Sequence, residues 1–143
     1  MVEQPSEPLR RKINELKRAV DGFEKVLQYD YSGRDAIELD IYKNACIQKF
    51  EYCAELGWKT VKRILDELGG ESPNAPKLVY RHYFLNLFSD EEMTDALFQT
   101  INDRNLLSHV YKESVFDEVY ERLPVHLSTL KQLVTLVQKA LSE

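Results

Sequence analysis

The sequence holds little with which to brace a fold covalently or to capture a metal. Its two cysteines, Cys46 and Cys53, stand seven apart in a helical pattern. That spacing separates them by about 10 Å along a helix axis, beyond disulfide reach, so they read as small core residues. The three histidines, His82, His109 and His126, are scattered, and neither HExxH nor CxxC occurs; no metal site and no cofactor are expected. There is no P-loop, no GxGxxG, and no Gly-Ser dipeptide followed by an Asp-x-Asp pair. The chain therefore lacks the parts with which a nucleotidyltransferase of the usual type would act alone. No run approaches the roughly 18 consecutive apolar residues of a membrane-spanning helix. Residues 1–8 lack the basic-then-apolar pattern of a secretory leader, so a cytoplasmic protein with no membrane partner is expected.

What is present is helical periodicity. With 143 residues, 43% of them apolar, the chain can bury one core, and residues 1–143 are expected to form a single helical-bundle domain. Leu9, Ile13, Leu16, Val20, Phe23 and Leu27 recur in steps of four and three, with Pro8 suited to a first turn. This predicts a helix over about 8–29. A second stripe runs through Tyr42, Cys46, Phe50, Cys53, Gly57, Val61, Ile64 and Leu68 and stops at Gly69-Gly70, predicting a helix over about 37–68. A third, from Phe116 through Tyr120, Leu123, Leu127, Leu130, Val134 and Val137 to Leu141, predicts a helix over about 114–141, bent at Pro124. Between them, Asn74-Ala75-Pro76 opens one shorter helix and Ser89-Asp90-Glu91-Glu92 reads as a capping box for another, with the serine as cap. No strand-type alternation, repeat or low-complexity tract stands out. The expected fold is all-α, an antiparallel up-and-down bundle of four to five helices.

Two residues interrupt this regularity. Arg104 continues the apolar stripe of Leu97 and Ile101, and burying a guanidinium is costly unless something satisfies it. Two readings stay open: a pair with Asp103 or Glu55 that ties helices together, or a bound anion. His109 falls at a helix-to-helix joint with Tyr111 two residues on; an extended joint would point both side chains the same way. Histidine exchanges protons near neutrality and arginine stabilises charge on a phosphate. Together they suffice for metal-free RNA cleavage by attack of a 2′-hydroxyl on the adjacent phosphorus, with Asn105 as a hydrogen-bonding helper.

The remaining features are blander. Tyr80, Tyr83, Phe84 and Phe88 read as core and interface, and His82 and His126 as surface or bundle-edge residues. The net charge of -5 repels polyanions overall, which argues against general coating of nucleic acid but leaves room for a local basic cleft. Most basic clusters, such as Arg10-Arg11-Lys12, read as solvated helix faces. Lys59, Lys62 and Arg63 share about one side of the second helix and are the residues most suited to follow a phosphate backbone.

The run Arg104-Asn105-x-x-x-His109-x-Tyr111 resembles the RxxxxHxY motif of HEPN-domain proteins, the HepT-like toxins. Upstream, Gln48-Lys49-Phe50-Glu51-Tyr52-Cys53-Ala54-Glu55-Leu56-Gly57-Trp58-Lys59-Thr60 is similar to the "QRFEYtfELaWKt" segment of the subgroup called nucleotidyltransferase substrate-binding proteins. Ser72-Pro73 and Asp103-Arg104-Asn105 also match that subgroup. The resemblance spans about residues 10–141. It implies a four-to-five-helix bundle that pairs as a two-fold homodimer, with two motif copies facing a shared cleft, and a partner nucleotidyltransferase of the MNT type. In the toxin reading it implies, Arg104 and His109, assisted by Asn105, form a metal-independent endoribonuclease site acting on RNA. The partner is then the antitoxin, which adenylylates Tyr111. In the alternative it implies, the chain is the non-catalytic substrate-binding subunit of a two-component nucleotidyltransferase. Leu106-Leu107-Ser108-His109-Val110-Tyr111 departs from the commoner "xTSHTY": Leu107 and Val110 remove two hydroxyls and leave Arg, His and Tyr in place.

Overall fold

A computed structural model describes residues 2–142. Five α-helices follow one another: α1 (Glu7–Gln28), α2 (Ala36–Leu68), α3 (Pro76–Tyr80), α4 (Glu91–His109) and α5 (Glu113–Ser142). All described secondary structure is helical. The three long helices fall within two residues of the ranges their apolar spacing predicts.

Local chemistry explains most of the boundaries. Ser6 caps α1, its side chain accepting from the Leu9 amide at 3.1 Å, with Pro8 in the first turn, where a missing N–H costs nothing. Asp35 caps α2 by accepting from the Glu38 amide at 2.8 Å, and Gly69 ends it at φ 94°, in the left-handed region glycine enters freely. At α4 the cap differs from the expected serine: Asp90 accepts from the Met93 amide at 3.0 Å, while Ser89 takes a left-handed φ of 55°. The carboxylate is one residue nearer the helix and brings negative charge to its positive end. α3 runs directly into a π-helical turn, Arg81–Leu87, a wide and rare geometry that apolar periodicity does not announce. Pro124 lies inside the continuous α5, where its ring removes one backbone donor.

Side-chain ties fix an up-and-down arrangement. The start of α1 meets the end of α2, where the Ser6 amide donates to Glu67 Oε1 at 2.9 Å. The end of α1 meets the start of α2, where the Tyr42 hydroxyl donates to the Leu27 carbonyl at 2.7 Å. α5 packs on α1, α2 and α4. The core contains Leu9, Leu16 and Phe23 of α1, Phe50 and Ile64 of α2, Leu97 of α4, and Leu123, Leu130 and Leu133 of α5, all fully covered; each contributes about 1.5–3 kcal/mol of burial. Cys46 and Cys53 are free and buried in it.

Gly57 marks a close approach. A Cβ there would stand 2.6 Å from the Tyr80 hydroxyl and 3.1 Å from Leu133, so the absent side chain is what lets α3 and α5 press onto α2. The Tyr80 hydroxyl itself is buried without a hydrogen-bond partner among the described residues. Elsewhere α2 leaves Ile37 and Ile41 74% and 62% exposed, and these stand one turn apart on one face.

Candidate functional site

α4 carries the predicted motif, and successive residues of its last two turns point to different surroundings because each step turns about 100°. Asp103 points toward α5 and is buried. Arg122 clamps it from both nitrogens, Nε to Oδ2 at 2.8 Å and Nη2 to Oδ1 at 2.7 Å, and His126 Nε2 lies 2.6 Å from Oδ2. Burial alone would raise the Asp103 carboxyl; the hydrogen bonds and charges of Arg122 and His126 outweigh it and hold it below the usual carboxylate range. His126 is buried, stacks on Phe50 with ring centres 4.9 Å apart, and has an Nδ1 without a partner among the described residues. Burial lowers its pKa, and the attraction of Asp103 restores only part of the loss. A proton on Nδ1 would be a donor facing no acceptor. His126 is thus neither a surface nor a bundle-edge residue. The stripe Val119, Leu123, His126, Leu130, Leu133, Val137 and Ala140 is buried at every position, and that spacing is the sequence signal that places the histidine inside.

One residue on, Arg104 turns toward α2. Its Nη1 donates to Ser108 Oγ, which also reaches the Arg104 carbonyl at 3.2 Å. Its Nε stands 3.8 Å from Glu55 Oε2, close enough for attraction but too long for a hydrogen bond, and this nitrogen is buried and unsatisfied. Glu51, one turn back on α2, feels the same guanidinium; burial raises its pKa and Arg104 offsets part of the rise. Of the two ion-pair partners the sequence offers for Arg104, Asp103 is taken by α5, which leaves Glu55. About a third of the Arg104 side chain remains exposed.

Asn105 is exposed. His109 is exposed and ends α4, so it belongs to the helix and not to the joint; Val110 is the extended residue that follows. Five steps at 100° set His109 about 140° around the helix from Arg104. Tyr111 is 91% exposed on the short non-helical stretch before α5. Beside it lies an open groove of about 360 Å³, lined among others by Asp40 and Asn44 of α2 and by Leu107, Tyr111 and Phe116. The structure thus sets Arg104 and His109 on different sides of the last turns of α4, with Tyr111 beyond the end of that helix.

The remaining predicted residues do converge. Lys59, Lys62 and Arg63 line a groove of about 480 Å³ between α1 and α2. Its other cations, Arg11 and Lys12, read from the sequence as a solvated face, yet the antiparallel packing of α1 brings them opposite. Trp58 also lines it, its Nε1 donating to Glu55 Oε2 at 3.2 Å. Glu55 in turn holds Lys59 at 3.1 Å. Burial would raise its pKa, but the hydrogen bonds from Lys59 and Trp58 and the charges of Lys59 and Arg104 hold it low. One carboxylate therefore joins the groove to Arg104. Among the described residues no group of three His, Cys, Asp or Glu side chains is arranged to hold a metal, and no helix is long and apolar enough to cross a membrane.

Residues 11–139 match the family described as nucleotidyltransferase substrate binding protein like. No curated protein matches the sequence. Among solved structures the chain is similar to a protein of Thermus thermophilus at 23% identity and a TM-score of 0.69, over 84% of this chain and 96% of that one. It is also similar to a chain in the structure of the tri-AMPylated Shewanella oneidensis HEPN toxin in complex with MNT antitoxin, at 20% identity and a TM-score of 0.71, over 94% and 99% of the two chains. A toxin–antitoxin structure, MntA–HpeT, aligns at 20% identity and a TM-score of 0.72 over the same shares. At such identities these likenesses establish a common helical-bundle fold.

Proposed function

The chain belongs to the nucleotidyltransferase substrate-binding protein-like family, and from that premise we propose that it is the HepT-like toxin subunit of a cytoplasmic toxin–antitoxin pair. In this reading it works as a homodimer that cleaves RNA without a metal and is silenced by an MNT-type nucleotidyltransferase. The observation that carries the reading is Tyr111: a phenol 91% exposed, two residues past His109, on a stretch that a partner's active site can reach. The similarity to toxins solved with MNT antitoxins supports the same partner class.

The chemistry follows from the residue types. His109 takes the proton of a ribose 2′-hydroxyl, the 2′ oxygen bonds to the adjacent phosphorus, and the bond from phosphorus to the 5′ oxygen breaks. A protonated imidazole returns a proton to the departing oxygen, leaving a 2′,3′-cyclic phosphate and a 5′-hydroxyl. Arg104, about a third of whose side chain is exposed, stabilises the charge that builds on the phosphoryl oxygens. The angle of about 140° between the two groups on one helix is why a dimer is needed: two-fold pairing sets two copies of the motif around one cleft. Exposed Ile37 and Ile41 on α2 are the kind of apolar patch such pairing covers. Silencing is equally simple. The Tyr111 phenol gives up its proton, its oxygen attacks the α-phosphorus of ATP, pyrophosphate leaves, and the added AMP places a phosphate beside the cleft that competes with the substrate. Asn105 assists by hydrogen bonding to phosphate or imidazole.

Arg104→Ala and His109→Ala are each expected to abolish RNA cleavage and growth inhibition while the dimer stays folded; undiminished toxicity of both would end the reading. A second reading, a non-catalytic substrate-binding subunit of a two-component nucleotidyltransferase, is favoured by the internal contacts of Arg104 with Ser108 and Glu55. It predicts a stable complex with the nucleotidyltransferase and no cleavage by the isolated dimer.

A further inference from the structure

We propose that the groove between α1 and α2 is a binding track for single-stranded RNA, with phosphates held by Arg11, Lys12, Lys59, Lys62 and Arg63 and a base resting on Trp58. Two helical stripes face each other across it: Arg11, Lys12 and Glu15 on α1, and Trp58, Lys59, Lys62, Arg63 and Asp66 on α2. Five cations thus meet two carboxylates in the lining, and the further carboxylates Glu55 and Glu67, which pair with Lys59 and Arg63, still leave a small positive balance in a chain whose overall charge is -5. Its volume, about 480 Å³, is in the range of sites that take a nucleotide-sized group.

The state of the five cations argues for a ligand over a structural network. The three on α2 are held by carboxylates one turn along the same helix, Lys59 by Glu55, Lys62 by Asp66 at 3.5 Å and Arg63 by Glu67 at 2.9 Å. The Lys59 pair is partly exposed and weak enough to exchange for phosphate. Lys62 also donates to Ser72 Oγ at 2.9 Å, and Arg63 reaches Ser6 Oγ at 3.4 Å beside the Ser6–Glu67 tie, so these two keep a contact to the fold while facing the groove. Arg11 and Lys12 on α1 have no hydrogen-bond or ion-pair partner among the described residues. They stand across the groove from the paired three. Single-strand binders combine cations along a backbone path with an aromatic surface for a base. Trp58 is half-buried, packed against the core on one side and lining the groove on the other. Because Glu55 contacts Trp58, Lys59 and Arg104, a strand leaving the groove arrives beside Arg104. What the strand is for rests on the ribonuclease reading; whether it binds does not.

Trp58 is the only tryptophan, so its fluorescence reports on the groove directly. The full-length protein would be titrated with an uncleavable 2′-O-methyl oligouridylate of about twelve nucleotides, within the site sizes of single-strand binders, at several salt concentrations, with ATP as a parallel arm. The expected result is saturable quenching whose log affinity falls with log salt at a slope of about -3.5, from five phosphate contacts at roughly 0.7 each. Arg11→Gln/Lys12→Gln, which removes two unpaired surface charges, should reduce that slope by about 1.4 and weaken binding about tenfold or more at low salt, with an unchanged circular dichroism spectrum. His109→Ala should bind as the parent does, which separates failure of the groove from failure of the nuclease. Binding without a change in Trp58 fluorescence, binding indifferent to the double substitution, or ATP bound as tightly as the oligomer would each overturn the proposal.

Discussion

Two neighbouring residues of α4 have opposite fates, and the contrast divides the molecule. Asp103 is buried with its oxygens taken up by Arg122 and His126, so it locks α4 to α5. Arg104, one step round the helix, is a third exposed, keeps an unsatisfied Nε, and faces Glu55 across 3.8 Å. A buried carboxylate with both oxygens hydrogen-bonded in a low-dielectric interior fixes register. The exposed third of the Arg104 side chain is the part an anion can meet. The same helix therefore spends one residue on holding its position and the next on what that position presents, and beyond them His109 and Tyr111 are both exposed.

The sharpest way to break this division is to remove the lock. Asp103→Ala leaves His126 buried without its acceptor and Arg122 without its carboxylate; the expected cost is about 3 kcal/mol, at the lower end for a buried pair because Arg122 is nearly half exposed. Urea unfolding measures it, and a loss below about 0.5 kcal/mol, the scatter of ordinary surface substitutions, would mean the network holds nothing.

The next effect is on pH dependence. The lowered pKa of His126 means that the unfolded chain takes up its proton first as pH falls below the ordinary value of about 6.5. Stability is therefore complete above that pH and declines as pH falls through it. Asp103, also lowered, adds a second decline as the pH drops past about 4, the range in which an unfolded carboxylate protonates. His126→Gln keeps a donor for Asp103 and removes the first decline; unfolding free energies from about pH 7 to 5 should then run flat where the parent slopes. An unchanged slope would assign the acid sensitivity elsewhere.

The smallest expected effects on stability lie at the exposed end. Asn105→Ala and Tyr111→Phe should each shift it by no more than about 0.5 kcal/mol. Tyr111→Phe should nonetheless abolish AMP transfer to this position, scored by mass spectrometry after incubation with ATP and the partner. Modification at residue 111 is impossible in that variant, so persistent labelling would locate the acceptor elsewhere.

This division also explains what is legible in the sequence. The long helices are plain because their apolar residues repeat in threes and fours, and Cys46 and Cys53 fall on that stripe. Arg104 stands out for the same reason in reverse, a charge where a hydrophobe belongs. His126 escapes because the stripe through Phe116 and Tyr120 leads past it, while a second, offset by one side of the helix, is the one that is buried throughout. The cap at Asp90 and the π-helical turn at Arg81–Leu87 depend on single-residue geometry that periodicity does not encode. The partnership of Arg11 and Lys12 with Lys59, Lys62 and Arg63 is tertiary: it exists only once α1 folds back along α2.

RNA cleavage by purified parent and His109→Ala proteins, matched for unfolding midpoint, separates chemistry proposed at the open end of α4 from the fold held by the lock behind it. The account predicts that cleavage falls by about 10²–10⁴-fold, the worth of a general acid–base group, with the midpoint unmoved. Equal cleavage by both proteins at equal stability would contradict it.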